Sequence, residues 1–272
     1  MLRSVAAEKE QEKRQEKNKE RYLGKLVLER KGYTCLRLLG QGAFSQVYCV
    51  EKEEDGKVYA CKVSVKDALL EREAKVMAAL SHPLFPAFVG YWKEAGLGFL
   101  MSEFIAGYTL EELLRRRGGF SVDQVIRVGF ALGNGLRYLH ERPEQYLFRD
   151  VKPANVMIRQ DGRIKLIDFG CACSGKGRNS TRAGTPGFAA PEQFGKVKRL
   201  TPACDVYGLG RTMEAMLGTG ELSIWRGRER RLRRILRACT QTDRRKRVPD
   251  MRKFLAAMRG VDGRNVFLIT LF

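Results

Sequence analysis

The chain has 272 residues with 44% hydrophobic side chains, enough for a sizeable core, and a formal net charge of +20. No run of 18 apolar residues occurs, so a complete membrane span is excluded, and the charged N-terminal stretch does not read as a secretory signal. Seven scattered cysteines with no C-x-x-C pair, and only two histidines, argue against a zinc site and for reduced thiols, while the excess of positive charge calls for an anionic partner.

In chain order, residues 1–31 read as a charged extension, helical or disordered. Glu8, Glu12, Glu16 and Glu20 repeat at i, i+4, as do Lys9, Lys13, Lys17 and Arg21, and like charges at that spacing repel. The reading is a solvated arm outside the folded unit, with docking through Tyr22 and Leu26 as the lesser alternative. From 32 to 104 short β runs dominate. Leu36–Leu39, Gln46–Glu51, Val58–Val63 and Phe99–Phe104 are predicted strands, and Ala68–Leu80 a helix ended by His82-Pro83. From 105 to 259 the pattern turns helical, with predicted helices at Leu110–Arg117, Val122–Glu141, Pro202–Leu217, Arg228–Thr240 and Asp250–Met258. A β-like island, Val156–Ile158 and Ile164–Ile167, interrupts them around Asp161-Gly162. A β-rich part followed by a helical part predicts an α+β class with two lobes. Residues 260–272 are read as a C-terminal tail, apolar from Val266 to Phe272.

The chemistry concentrates in Phe148-Arg149-Asp150-Val151-Lys152-Pro153-Ala154-Asn155, followed across a predicted hairpin by Asp168-Phe169-Gly170. An acid, a lysine and an amide on one loop, with a second acid beyond a hairpin, could surround a metal-bound phosphate and a nucleophilic hydroxyl together. These motifs resemble the catalytic loop and metal motif of the eukaryotic-like (Hanks-type) protein serine/threonine kinases. The resemblance spans roughly residues 33–258 and rests on an ordered set. Leu39-Gly40-Gln41-Gly42-Ala43-Phe44-Ser45-Gln46-Val47 is similar to their glycine-rich loop, with Ser45 in place of the third glycine, and Val58-Tyr59-Ala60-Cys61-Lys62 to their lysine strand. The strand–turn–strand setting of the glycines argues against a dinucleotide-binding turn.

The resemblance implies a two-lobed fold and Mg²⁺-dependent transfer of the ATP γ-phosphate to Ser and Thr hydroxyls of proteins, autophosphorylation included, with Mn²⁺ as a substitute metal. By the same resemblance Asp150 accepts or orients the substrate hydroxyl's proton, Lys152 neutralises the transferring group, and Asn155 and Asp168 hold the metal. Lys62 holds the α- and β-phosphates, and its counter-charge is Glu73, chosen over Glu71 for its distance from His82-Pro83. Leu39, Val47, Ala60 and Met157 enclose adenine, with the Glu103 carbonyl and Ile105 amide on its edge. Small Ser102 implies room for enlarged ATP-competitive inhibitors. Phe148 replaces the usual histidine and is expected to pack on Phe169. Ala190-Pro191-Glu192 resembles the A-P-E motif, its Glu expected to pair with Arg247 (Arg244 and Arg245 compete), and Asp205 the acid that braces the catalytic loop. Thr185 is expected to bond near Asp150 and Lys152, and a phosphosite is expected at Ser180 or Thr181.

The segment from Arg226 to Arg247 holds eleven Lys or Arg and two acids, Glu229 and Asp243. It reads either as a solvated amphipathic helix or as a surface for nucleic acid, acidic lipid or acidic protein. The stretch before it is short, so a helix that often docks substrates is expected to be trimmed. The expected location is cytoplasmic, at a membrane if the chain continues past Phe272. Two rival readings remain, a pseudokinase-type ATP-binding scaffold and a small-molecule kinase of the same fold. The first is disfavoured by the full set Lys62, Glu73, Asp150, Asn155 and Asp168, the second by the Gly184–Glu192 segment, which resembles a peptide-binding loop.

Overall fold

A computed structural model describes residues 22–42, 44–177, 182–195, 197, 199–218 and 227–261. The expectations for Ala43, Ser180, Thr181, Arg226, the arm before residue 22 and the tail after 261 lie outside the described residues. The chain divides into two units, Met1–Ala78 with Ala87–Phe104, and Ala79–Pro86 with Ile105–Phe272.

The first unit is an antiparallel sheet in the order β1-β2-β3-β5-β4. Its strands are β1 (Tyr33–Gln41), β2 (Ser45–Lys52), β3 (Val58–Ser64), β4 (Phe88–Glu94) and β5 (Leu97–Glu103). Residues 22–30 are helical (α1), and helix α2 spans Asp67–Ala78, ending two residues before the expected Leu80. One face of the sheet makes an apolar core of Tyr48, Val50, Cys61, Val63, Phe99 and Met101. Val27 and Leu28 of α1 are buried in that core, with Leu23 against it. The charged N-terminal stretch therefore has a docked end. The residues that dock are Leu23, Val27 and Leu28, spaced for one helix face, whereas Tyr22 and Leu26 point to solvent. Close approach is needed here: a Cβ on Gly24 would stand 3.2 Å from Val63. Strand β4 has no counterpart among the predicted strands. It is an edge strand whose alternation is broken by a register shift between Phe88 and Gly90, although Trp92 stacks on Phe99 at 5.1 Å.

The second unit is helical. Helices α3 (Leu110–Arg117) and α4 (Val122–Glu141) start at complete capping boxes, Thr109 with Glu112 and Ser121 with Gln124, which is why their bounds match the sequence reading. Helices α5 (Ala203–Leu217), α6 (Gly227–Cys239) and α7 (Met251–Arg259) follow. Helix α4 is the centre. Val125, Ile126, Leu132, Leu136 and Leu139 are fully buried, and a Cβ on Gly133 would lie 2.9 Å from Leu255 of α7, so only glycine lets the two helices close. A short sheet of β6 (Gly107–Thr109), β8 (Val156–Arg159) and β9 (Ile164–Leu166), and a ribbon of β7 (Tyr146–Leu147) with β10 (Cys173–Ser174), bracket the loop that carries Asp150. Residues 79–86 belong with this unit because the Leu84 carbonyl accepts from Leu166 N–H at 2.8 Å and Lys165 Nζ donates to the Phe85 carbonyl at 3.0 Å. Among the described residues, no helix is long and apolar enough to cross a membrane.

Candidate active site

The loop 148–155 cannot hold its own shape, because Arg149 sits at φ 68°, where a residue with a Cβ is strained by roughly 1–3 kcal/mol. Buried side chains from distant parts of the second unit hold it. Asp205, at the head of α5, accepts from the Phe148 N–H at its Oδ2 (2.9 Å) and from the Arg149 N–H at its Oδ1 (2.7 Å), and His140 Nε2 lies 2.8 Å from the same Oδ2. Gln193 Nε2 donates to the carbonyls of Arg149 and Ala183, both at 2.8 Å, and the Thr212 hydroxyl donates to the Val151 carbonyl at 3.2 Å. The Arg149 Nε donates to the Cys171 carbonyl at 2.7 Å. Each of these bonds satisfies a backbone group that burial would otherwise leave orphaned.

On that frame Asp150, 6% exposed, meets three partners. The Thr185 hydroxyl donates to its Oδ1 at 2.8 Å, Lys152 Nζ lies 2.9 Å from its Oδ2, and Asn155 Nδ2 donates to its Oδ2 at 3.1 Å. Lys152 Nζ also donates to Thr185 Oγ1 at 2.7 Å, so one hydroxyl is seated between the acid and the cation. Asn155 gives its second amide hydrogen bond to the Asp150 carbonyl at 2.9 Å, which leaves its amide oxygen as the atom to offer a ligand. The Ile167 N–H donates to the Asn155 carbonyl at 2.8 Å, fixing the strand end next to Asp168. Asp168 itself adopts φ 68°, ψ 84°, with its carboxylate accepting from Gly170 N–H at 3.3 Å. Burial pushes the Cys171 thiol up, and the charges of Asp150 and Asp168 raise it further.

Phe169 is buried between two rings, edge-on to Phe148 at 5.2 Å and to Phe85 at 5.3 Å. Phe148 thus sits in packing, as its lack of any proton-carrying group requires. The segment after it is pinned by Glu192, whose two oxygens accept from Arg247 at 2.6 and 3.0 Å, while Arg244 and Arg245 are exposed and bond elsewhere.

Within the first unit, Lys62 Nζ on β3 meets Glu73 Oε2 at 2.8 Å and Oε1 at 3.0 Å. Glu71 faces outward and pairs with Lys75 and Lys93. The β1–β2 turn closes through Gly42 N–H to the Ser45 carbonyl at 2.8 Å, with Gly40 paired to Val47 and Gln41 to Gln46. A Cβ at Gly40 would meet nothing within 4 Å, so its neighbourhood is open. Phe44 is exposed at the tip, with Lys66 Nζ 3.6 Å from its ring centroid. Leu39, Val47, Ala60 and Glu103 lie on β1, β2, β3 and β5 of this unit, and Ala60 pairs across the ladder with Ser102. Ile105 and Met157 belong to the second unit, Met157 on β8.

His140, Gln193 and Thr212 are the supports that sequence reasoning missed. Each acts on residues 44 to 65 positions away, with no motif around it to announce the contact. Gln193 directly follows Ala190-Pro191-Glu192, and that adjacency was the one available signal.

Residues 33–258 match the family model for the protein kinase domain. A cGMP-dependent protein kinase of Plasmodium berghei is 34% identical over 167 residues, 57% of this chain and 19% of that protein. A probable serine/threonine-protein kinase of Arabidopsis thaliana, PBL2, is 35% identical over 187 residues, 60% of this chain and 44% of its own length. An Aurora kinase of Eremothecium gossypii is 30% identical over 194 residues, 67% of this chain and 52% of that protein. The chain thus spans about a fifth to a half of the length of these relatives. With the family model covering both units and the loop geometry above, the chain belongs to the protein kinase domain family, of the eukaryotic-like Hanks type.

Proposed function

We propose that this chain is an ATP-dependent protein serine/threonine kinase, which moves the γ-phosphoryl of ATP to Ser and Thr hydroxyls of proteins, its own included, with Mg²⁺ as its metal. One observation carries the reading: the Thr185 hydroxyl donates to Asp150 Oδ1 while accepting from Lys152 Nζ. A substrate Ser or Thr presents the same atom, and the same pair would orient it and hold its proton. Asp150 takes or orients that proton, and Lys152 offsets charge on the transferring group. The relatives' names, serine/threonine kinase among them, support the choice of acceptor.

Protein kinases work with ATP and a divalent metal, and the donors present fit both. Asn155, its amide hydrogens committed to Asp150, offers an oxygen, and Asp168 a carboxylate. These are hard donors of the kind Mg²⁺ takes, with Mn²⁺ a substitute. When bound, the metal neutralises phosphate charge. Lys62, held by Glu73, contacts the α- and β-phosphates. Gly40 and Gly42 of the β1–β2 turn carry no side chain, so phosphates can approach the backbone there closely. In the first unit Leu39, Val47, Ala60 and the Glu103 carbonyl serve adenine. An anionic macromolecule is a further proposed partner of the 226–247 segment, supported by the outward row Arg230, Arg234 and Arg237 on α6.

The test is labelled ATP with Mg²⁺ and a generic protein acceptor. Wild type transfers phosphate, and Asp150→Asn falls by about 10²–10⁴-fold. No transfer by wild type with Mg²⁺ or Mn²⁺, or equal transfer by the variant, overturns the proposal.

A further inference from the structure

The segment that folds over the catalytic loop carries charge of one sign on its open side. From Phe169 to Gly218 the sequence has seven Lys or Arg and three acids. All three acids are committed. Glu192 is buried against Arg247, and Asp205 is buried under the catalytic loop. Glu214 accepts from Arg211 at 2.7 Å and from the Thr240 hydroxyl at 3.1 Å. Among the described residues of this stretch, the exposed charged groups are basic: Lys176, Arg182, Arg199 and Arg211, joined by Arg244.

Their placement follows the segment itself. Gly184 has φ 118°, and a Cβ there would lie 2.9 Å from the Arg149 carbonyl, so residues 183–189 rest directly on the loop of Asp150. Thr185 reaches Asp150 from this stretch. On one side Arg211 Nε donates to the Gly187 carbonyl at 3.0 Å. On the other, Arg182 directly precedes Ala183, whose carbonyl Gln193 ties to that of Arg149. Further along, Arg199 donates to the carbonyls of Gly175 and Lys176 at 3.0 and 3.2 Å, and Arg244 donates to the Arg199 carbonyl at 3.2 Å. Among the described residues, Lys176 and Arg182 face no acidic partner. A peptide that brings a hydroxyl to Asp150 must cross this rim.

We infer that the acceptor site selects serine and threonine residues flanked by Asp or Glu, Arg182 and Arg211 bordering residues 183–188 and Lys176, Arg199 and Arg244 extending the positive rim. The inference rests on the kinase reading above and adds its substrate class. A basic flank would meet like charge along this rim, whereas an acidic flank gains several partly screened attractions at once.

The full chain with ATP and Mg²⁺ is offered two peptides that differ only in flanks, an Asp/Glu-rich serine peptide and its Lys/Arg-rich twin, and its autophosphorylation is followed in the same assay. The acidic peptide is expected to have a kcat/KM about tenfold or more above the basic one at low salt, mainly through KM. The ratio should shrink as ionic strength passes about 0.15 M, where the screening length is about 8 Å. The double substitution Lys176→Glu with Arg182→Glu is expected to bring the ratio to one or invert it. Preference for the basic peptide, or equal use of both, alongside clear autophosphorylation overturns the acidic-substrate inference alone. A ratio unmoved by the double substitution and by salt does the same. The absence of any transfer, autophosphorylation included, overturns the kinase reading and this inference with it.

Discussion

Each unit holds a buried carboxylate against a cation through both oxygens, and the two contacts are built for different ends. In the first unit Glu73 meets Lys62 at 2.8 and 3.0 Å, and the lysine side chain keeps 19% of its exposure. In the second unit Glu192 meets Arg247 at 2.6 and 3.0 Å, and the arginine side chain keeps none. Arg247 also donates to the carbonyls of Ala203, Thr242 and Gln241. A planar guanidinium fixed by five bonds cannot turn to another partner, whereas an ammonium on a four-carbon stem can. Burial of a charge pair is therefore no sign of chemistry by itself. What separates the two is whether the cation retains reach: Arg247 locks a segment in place, and Lys62 stays able to meet a phosphate.

Removing the cation of the locked pair should have the larger effect on stability. In Arg247→Ala the Glu192 carboxylate stays buried without a counter-charge, and three backbone carbonyls lose a donor. A loss of about 3–5 kcal/mol in unfolding free energy is expected, read from the denaturant midpoint. Arg247→Lys should recover only part of it, because one ammonium cannot span both oxygens and three carbonyls. A loss below about 1 kcal/mol for Arg247→Ala would break the distinction.

The same change on the other pair should appear in turnover. Glu73→Gln keeps the shape and removes the charge that places Lys62. A fall of about 10–100-fold in kcat/KM for ATP is expected, equivalent to about 1.4–2.7 kcal/mol of transition-state stabilisation. Its denaturant midpoint should move much less than that of Arg247→Ala. Unchanged turnover with a stability loss as large as at Arg247 would make Glu73–Lys62 a second lock.

The contrast also explains what was legible in the sequence. Lys62 and Glu73 are 11 residues apart on adjacent elements, and strand alternation with helical spacing points both inward. Helices α3 and α4 announce themselves through capping boxes four residues long. Strand β4 does not, since its register shift at Gly90 spoils the alternation that marks a strand. In the second unit Asp150, Lys152 and Asn155 are legible because the loop that carries them is continuous. The atoms that hold that loop, on His140, Gln193 and Thr212, arrive from separate helices and turns, and only the folded chain brings them together. The docked end of the N-terminal stretch was obscured for a related reason. Its charge run is visible over many residues, while the face that packs is only Leu23, Val27 and Leu28.

The smallest expected effect comes from the neighbour that was weighed against Glu73. Glu71 lies on the same helix but faces solvent, where Lys75 and then Lys93 hold its carboxyl at about 2. Its folded value is below that of a free glutamate, so the pairing stabilises above the unfolded value near 4.3 and is lost as pH falls toward the folded one. Glu71→Gln should leave turnover at wild-type level and lower the thermal midpoint only slightly at neutral pH. That small gap should close when salt is added, and also as the pH drops from about 5 toward about 2. Both variants remove one negative charge from α2, so a general electrostatic account of the helix predicts similar losses of turnover. Equal losses in Glu71→Gln and Glu73→Gln would mean that the charge of the helix matters and the pairing with Lys62 does not. A loss confined to Glu73→Gln assigns the effect to the carboxylate that meets Lys62 at 2.8 and 3.0 Å.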